Sequence, residues 1–320
     1  MKKVWIDTDP GIDDVFAIAM LIAAKEKIEI VGMSTIFGNV DVGQTTRNAK
    51  IVMEAASLAH LPLAKGASYP LCVPLDTSPF VHGDNGLGNM PLPVPTMKEA
   101  NTYAPQAIVD VILENPNEIT LLAIGPLTNV ALAYLLEPRI AELAKEVVIM
   151  GGAVLCPGNI TPAAEANFFH DPHAAQIVIN AGWKVSLAGL DVCAFGKIPD
   201  ELLDKISNSK NPLATIIKGA TPFFKDFFRT LDIEEHLDFP DAMAAAFLLA
   251  PEIFITEELP LFVETEGSCM GQTLAVPRNK WYEDPNDKRK FQADDHIAPV
   301  NVMFKADNIK FLNLLEALFA

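Results

Sequence analysis

The sequence predicts an α/β fold, an open and mostly parallel sheet flanked by helices, and three observations carry that reading. Half of the 320 residues are hydrophobic, ample for a large core. Short runs rich in Val, Ile and Leu alternate with stretches of helical periodicity, as expected for parallel strands joined by crossover helices. The polar motifs follow the apolar runs directly, where open sheets of this kind bind ligands.

In chain order, Lys3–Asp7 reads as the first strand, Pro10 and Gly11 force a turn, and Asp13–Ala24 reads as a helix. Glu29–Ile36 is the second strand and Val42–Leu58 its helix. Ala104–Glu114 is helical. Ile119–Ile124 and Val147–Met150 are strands separated by the helix Leu127–Leu135. Pro172–Ala181 is helical and Lys184–Ala188 a strand. Leu213–Phe228, Asp241–Leu249 and Ile309–Leu318 have helical patterns, and Leu261–Val263 reads as a further strand. Apolar side chains at successive strand positions indicate burial on both faces. Pro74–Thr96, Cys156–Asp171 and Gly267–Ala298 fit neither period, and loops of such length in a compact domain are usually functional or mobile. No composition shift marks a boundary, so residues 1–320 read as one domain.

Lys and Arg total 24 against 41 Asp and Glu, a net charge of −17. Such a chain lacks the basic surface that nucleic acids and anionic membranes require. Cations and neutral polar ligands suit it better, although most of the acid simply aids solubility. The four cysteines have no metal-ligand spacing and read as ordinary buried small residues in a reducing compartment. No apolar signal follows the first lysines, and the longest apolar run, Val15–Ala24, is too short to span a bilayer. A cytoplasmic location is expected.

"DTDPGIDD" places Asp7, Asp9, Asp13 and Asp14 within eight residues. Helix capping explains Asp13 or Asp14, but it does not explain four acids. A hard cation with oxygen ligands would relieve their repulsion, though the spacing is not that of an EF-hand. Asp241 opens an otherwise apolar helix, and its bland reading is again a cap. Asn159, Glu165 and Asn167 sit in "GNITPAAEANFFHDP" and suit a ligand with several hydroxyls, or simply cap a loop.

"DTDPGIDD", "FGNV", "VHGDNGLG", "IGPLTN", "IMGGA", "GNITPAAEANFFHDPHAA", "GLDV" and "PDAMA" run in order from Val4 to about Phe247. Together they resemble the inosine-uridine-type nucleoside hydrolase family. The resemblance implies a Rossmann-like core and hydrolysis of the N-glycosidic bond of ribonucleosides to ribose and free base. It implies a tightly bound Ca²⁺ held by Asp9, Asp14, Asp241 and the backbone carbonyl of Ile124. Asp9 would also take a proton from the attacking water. Asp13 would hold the ribose 2′-hydroxyl, Asn167 the 2′/3′ edge, and Asn159 and Glu165 the 5′-hydroxyl, with Asn39 and Met150 lining the ribose. Asp7 would orient its neighbours. His82, on a mobile loop near the base, is the second catalytic candidate. A homo-oligomer, dimer or tetramer, is expected by the same analogy.

Two positions depart from the family pattern. Pro240 precedes Asp241 where many members carry a histidine able to protonate the leaving base, and Pro has no such proton. This points to purine over pyrimidine nucleosides, with His82 or His236 as the remaining acid. Cys193 and Ala194 replace a common Thr-His pair, with a mild effect expected on the pocket wall. The stripe Phe223, Phe224, Phe227 and Phe228 reads as core before base clamp. Two rivals stand beside this reading: a non-catalytic Ca²⁺-dependent nucleoside- or ribose-binding protein of the same fold, and a haloacid-dehalogenase-type phosphatase, for which "DTD" followed by Pro-Gly is a poor match.

Overall fold

A computed structural model describes residues 1–231, 236–275 and 298–320. The strands in chain order are β1 Lys2–Thr8, β2 Ile28–Thr35, β3 Leu63–Lys65, β4 Ile119–Ala123, β5 Glu146–Met150, β6 Val185–Ala188, β7 Lys197–Pro199, β8 His236–Asp238, β9 Phe254–Leu259, β10 Leu261–Val263, β11 Thr273–Ala275 and β12 Val300–Ala306. The helices are α1 Ile12–Ala23, α2 Val42–Ala55, α3 Pro79–His82, α4 Ala104–Glu114, α5 Thr128–Leu136, α6 Ile140–Leu143, α7 Ala166–His170, α8 Pro172–Ile179, α9 Leu190–Cys193, α10 Asp200–Ser207, α11 Ala214–Thr230, α12 Pro240–Leu249 and α13 Asn308–Leu318.

Eight strands form the central sheet in the order β3-β2-β1-β4-β5-β6-β12-β9. Neighbours are parallel except β12 and β9, which are antiparallel. The open, mostly parallel sheet is therefore as the sequence predicts. Both faces are apolar because strand side chains alternate in direction. Val4, Ile6, Leu122 and Val148 join the helices α1, α11 and α12 on one face. Trp5, Leu121, Ala123, Val147 and Ile149 join α4, α5 and α8 on the other. Each such Leu or Ile, fully buried, contributes roughly 1.5–3 kcal/mol.

The strand order reverses between β1 and β4. From β1 the chain moves outward through β2 and β3, then returns to add β4 on the opposite side. Crossover loops diverge there and leave a crevice at the carboxyl ends. Asp7, on β1, lies opposite Ala123 in β4 and Ser34 in β2, so the aspartate segment leaves the sheet at that crevice.

Some expectations need correction. Leu261–Val263 is a strand but not part of the central sheet; it pairs antiparallel with β11. The strands β9 and β12 were not anticipated. β9 is mostly solvent-facing and reads as polar "FITEEL", as an edge strand does. The unassigned stretches Pro74–Thr96 and Cys156–Asp171 contain the short helices α3 and α7. Of Gly267–Ala298, residues 276–297 lie outside the described residues. Cys72 and Cys269 are exposed and only Cys193 is buried, so the cysteines are not uniformly core residues.

Candidate active site

The segment after β1 turns at Pro10 and Gly11 and enters α1, so its acids line the mouth of the crevice. Asp13, Asp14 and Asp241 each offer a carboxylate oxygen within 4.8 Å of the others. Asp241 comes from the first turn of α12, which packs along α1. The two helix starts thus converge, and more than two hundred residues of sequence separation closes to a few ångströms. Asp9 is adjacent but outside that close group.

Each acid is held differently. Asp14 accepts from Thr8 Oγ1, from Gly11 N at 2.9 Å and from Asn39 Nδ2 at 3.0 Å. Asp9 Oδ2 accepts from Asn39 N at 2.7 Å, while Asp9 Oδ1 is buried without a partner. Asp13 Oδ1 is also buried and makes no hydrogen bond. Among the described residues, the one basic group paired with any of these acids is His82, whose Nδ1 lies 3.8 Å from Asp13 Oδ1.

Burial raises the carboxyl of Asp13 to about 6 and that of Asp14 to about 6, the Asp13 charge adding to the second. Burial first, then the neighbouring carboxylates, push Asp9 and Asp241 well above the usual range. Acids packed this way cannot all ionise without a compensating positive charge. The donor set is all oxygen, with unpartnered buried oxygens facing one another's charge. That chemistry fits a hard divalent cation.

Asp7 is the acid set furthest back. Its Oδ1 accepts from Ser34 Oγ at 2.5 Å and Asn129 Nδ2 at 2.8 Å, and burial raises its carboxyl to about 7. Asn129 also donates to Thr35 O at 3.0 Å and accepts from Ala67 N at 2.9 Å, tying three strand ends together. Asn129 closes "IGPLTN", and its function as a tie depends on partners that only the fold supplies.

On the far side, Asn167 Nδ2 reaches Ile124 O and Met150 O, each at 3.2 Å. Asn167, Ile124 and Met150 are therefore brought together. Glu165 is different. Its carboxylate accepts from Asn167 N at 2.9 Å, Gly152 N at 2.9 Å and Phe168 N at 3.1 Å. It caps α7, and burial raises it to about 7. Asn159 is exposed, and its Oδ1 accepts from Ala166 N at 3.0 Å. For these two residues the loop-capping reading is the one realised in the hydrogen bonds. Asp191, in "GLDV", is a second such tie, without a signal in the sequence. It accepts from Val154 N at 2.8 Å and Leu155 N at 2.7 Å and so holds the start of this loop.

His82 ends α3 and is buried against Phe224, with ring centroids 5.8 Å apart. Burial lowers its pKa to about 4, so the ring is neutral. Ile12 N donates to Nδ1 at 3.2 Å, which leaves the proton on Nε2. A side chain on Gly11 would come within 2.7 Å of His82 Nδ1, so the glycine permits this approach. His236 instead faces Asp238, at 3.8 Å, on the β7–β8 pair. The phenylalanine stripe divides. Phe224 and Phe228 are core, whereas Phe223 and Phe227 line, with the exposed Phe80, a surface hollow of about 400 Å³. Cys193 Sγ lies 3.9 Å from Pro240 O and belongs to the wall beside Asp241.

The chain matches the family model of inosine-uridine preferring nucleoside hydrolases over residues 4–313. Uridine nucleosidase 1 of Arabidopsis thaliana is 38% identical over 274 residues, covering 85% of this chain and 81% of the relative. A plant nucleoside hydrolase structure superposes with a TM-score of 0.91 at 32% identity, covering 100% of this chain and 99% of that one. A purine-preferring ribonucleoside hydrolase from Gardnerella vaginalis superposes with a TM-score of 0.89 at 26% identity, covering 99% and 98%. Among these, the purine-preferring protein has the lower identity, so the expected purine preference is not favoured. That expectation rested on Pro240, with His82 or His236 as the remaining acid; the fold brings His82 to the site and sets His236 against Asp238. Neither the phosphatase nor the non-catalytic reading finds a counterpart among these hydrolases.

Proposed function

The chain belongs to the inosine-uridine preferring nucleoside hydrolase family, N-glycosidases acting on ribonucleosides, and from that premise we propose that one Ca²⁺ serves the reaction and that uridine is a substrate. The observation that carries the metal reading is the convergence of Asp13, Asp14 and Asp241 within 4.8 Å, the last two buried and the first half-buried, with no Lys or Arg paired to them among the described residues. Asp9, Asp14, Asp241 and the Ile124 carbonyl would hold the ion. When bound, such an ion supplies Lewis-acid polarisation of a water and a template for sugar hydroxyls.

The chain's own residues do the rest. Asp9 takes the proton of the attacking water, a role supported by its Oδ1, which is buried and has no hydrogen-bond partner. Asp13 Oδ1, also unpartnered, accepts from the ribose 2′-hydroxyl. Asn167 orients the 2′/3′ edge and, with Asn39 and Met150, shapes the ribose floor. Asn159 and Glu165 act at the 5′ side, Glu165 by fixing the loop through its three backbone bonds. The carboxylates favour the oxocarbenium-like ribosyl group that forms as the base departs. Negative charge develops on that base, and the Nε2–H of His82 is the hydrogen-bond donor available to it, the ring keeping its proton while the departing base takes one from water. Uridine is supported by the plant relative and by this donor, which a pyrimidine leaving group needs.

The test is ribose release from uridine and inosine by protein stripped with chelator and reloaded with Ca²⁺, Mg²⁺ or Zn²⁺. Restoration by Ca²⁺, with uridine cleaved, is expected. Full activity of stripped protein, or restoration by Zn²⁺ alone, defeats the metal reading, and failure on uridine defeats the substrate reading. No described helix is long and apolar enough to cross a membrane. A cytoplasmic homo-oligomer of one-domain subunits is part of the same proposal, read out by light scattering and fractionation.

A further inference from the structure

We infer that Asn48 is a positioning residue that sets the spacing between the aspartate loop and the histidine loop of the active site. It sits on α2, away from the acids in sequence, and is fully buried. Its Nδ2 donates to Pro10 O at 3.0 Å, in the turn between Asp9 and Asp13. The same nitrogen donates to Asn85 O at 2.8 Å, three residues after His82. Its Oδ1 accepts from Gln44 Nε2 at 2.9 Å, one helical turn earlier, which fixes the carboxamide's orientation. Gln44 Nε2 also reaches Asn85 O at 3.3 Å. Every polar atom of the Asn48 side chain is thus used, and both donors go to the two loops.

The histidine loop is a closed unit that moves as a whole if it moves. Asn85 Oδ1 accepts from Leu87 N at 2.9 Å and Asn89 N at 3.0 Å, and its Nδ2 donates to Met90 O at 3.0 Å. Gly83, Gly86, Gly88 and Asn89 all have positive φ, so the turn is set by its own backbone. Gly86 lies so close to the bridge that a side chain there would come within 2.7 Å of Asn48 Nδ2. The aspartate loop has independent anchors, since Thr8 at the end of β1 donates to Asp14 and Asn39, after β2, donates to Asp9 O and Asp14. Loss of the bridge should therefore shift the histidine loop and leave the acids in place. The leaving base would feel the change, and the ribose would not.

This inference rests on the reading of His82 as the donor to the base, and the test separates the two. Hydrolysis of uridine, a poor leaving group, is compared with that of 4-nitrophenyl riboside, whose leaving group needs no proton. For Asn48→Asp, which keeps the acceptor and loses both donors, kcat on uridine should fall at least ~10-fold, while kcat on the nitrophenyl riboside stays within ~3-fold. His82→Ala should show the same selectivity, more strongly. Selective loss in His82→Ala with equal losses on both substrates in Asn48→Asp overturns the bridge and leaves the histidine reading standing. No selectivity in His82→Ala overturns both. If Asn48→Asp does not fold, Gln44→Met decides. It removes the bond that orients Asn48, and a smaller selective loss supports the bridge while an unselective or absent effect rejects it.

Discussion

Gly125→Ala tests whether the position of Asp9 matters to a fraction of an ångström. Gly125 follows the Ile124 carbonyl at the end of β4, facing β1 across the switch point. A methyl group there would stand 2.5 Å from Asp9 Oδ1 and 2.8 Å from Ile36 Cγ2. Ordinary contact begins near 3.4 Å. Asp9 must then retreat by about 1 Å, and a misplacement of that size typically costs ~10²-fold in rate. The retreat is hindered because Gly38 closes the other side, where an added Cβ would overlap Asp9 Oδ2. Stability should suffer less, by roughly 1–3 kcal/mol as in other overpacked cores. The assay is initial-rate release of ribose at saturating metal, alongside denaturant unfolding. A kcat within ~3-fold of wild type in a folded protein would refute the assigned role of Asp9, because a general base displaced this far cannot keep its geometry.

Two further predictions follow from buried groups. His170 is nearly inaccessible, neither ring nitrogen has a hydrogen-bond partner, and burial lowers its pKa to about 4. The unfolded chain takes up this proton below about 6.5 and the folded chain refuses it until about 4, so stability falls as pH drops through that window. At about 1.4 kcal/mol per pKa unit the loss approaches ~3 kcal/mol, and His170→Leu should flatten the acid limb of a denaturant-unfolding series; an unchanged limb rejects the assignment. Glu165→Gln turns an acceptor into a donor facing backbone N–H groups, and should cost about 1–3 kcal/mol in the same unfolding assay. A neutral result would mean the cap is dispensable.

The sheet was legible because burial on both faces leaves a mark: β1, β2, β4, β5 and β6 each carry consecutive buried residues and are rich in Val, Ile, Leu and Met. β9 was not, since an edge strand such as "FITEEL" exposes most of its side chains and loses that mark. Motif residues were legible as chemistry but not as partners. That Asn167 would meet Ile124 and Met150 depends on three strand ends lying side by side, which follows from sheet order and not from spacing. Asn48 and Asn129 were the least visible. Each is a carboxamide inside a helical pattern, and what distinguishes them is the pair of acceptors that tertiary structure supplies, two backbone carbonyls for Asn48 and the Asp7 carboxylate with the Thr35 carbonyl for Asn129.

The commonplace reading of the aspartates as helix caps turns out to be partly correct, and this sharpens the functional one. Asp14 does cap α1, accepting from Gly11 N at 2.9 Å. Capping by itself would leave such a residue at the surface, where its charge is solvated at little cost. Here Asp14 is fully buried beside two more acids. Asp241 sits in the first turn of α12, whose N-cap position is taken by Phe239 without a side-chain capping bond. Helix dipoles favour acids at these positions by at most about 2 kcal/mol each. Burying several carboxylates together costs more than that, several kcal/mol per uncompensated charge. Two helix starts aimed at one point therefore reduce the repulsion without cancelling it, and the remainder is what a bound cation would have to supply.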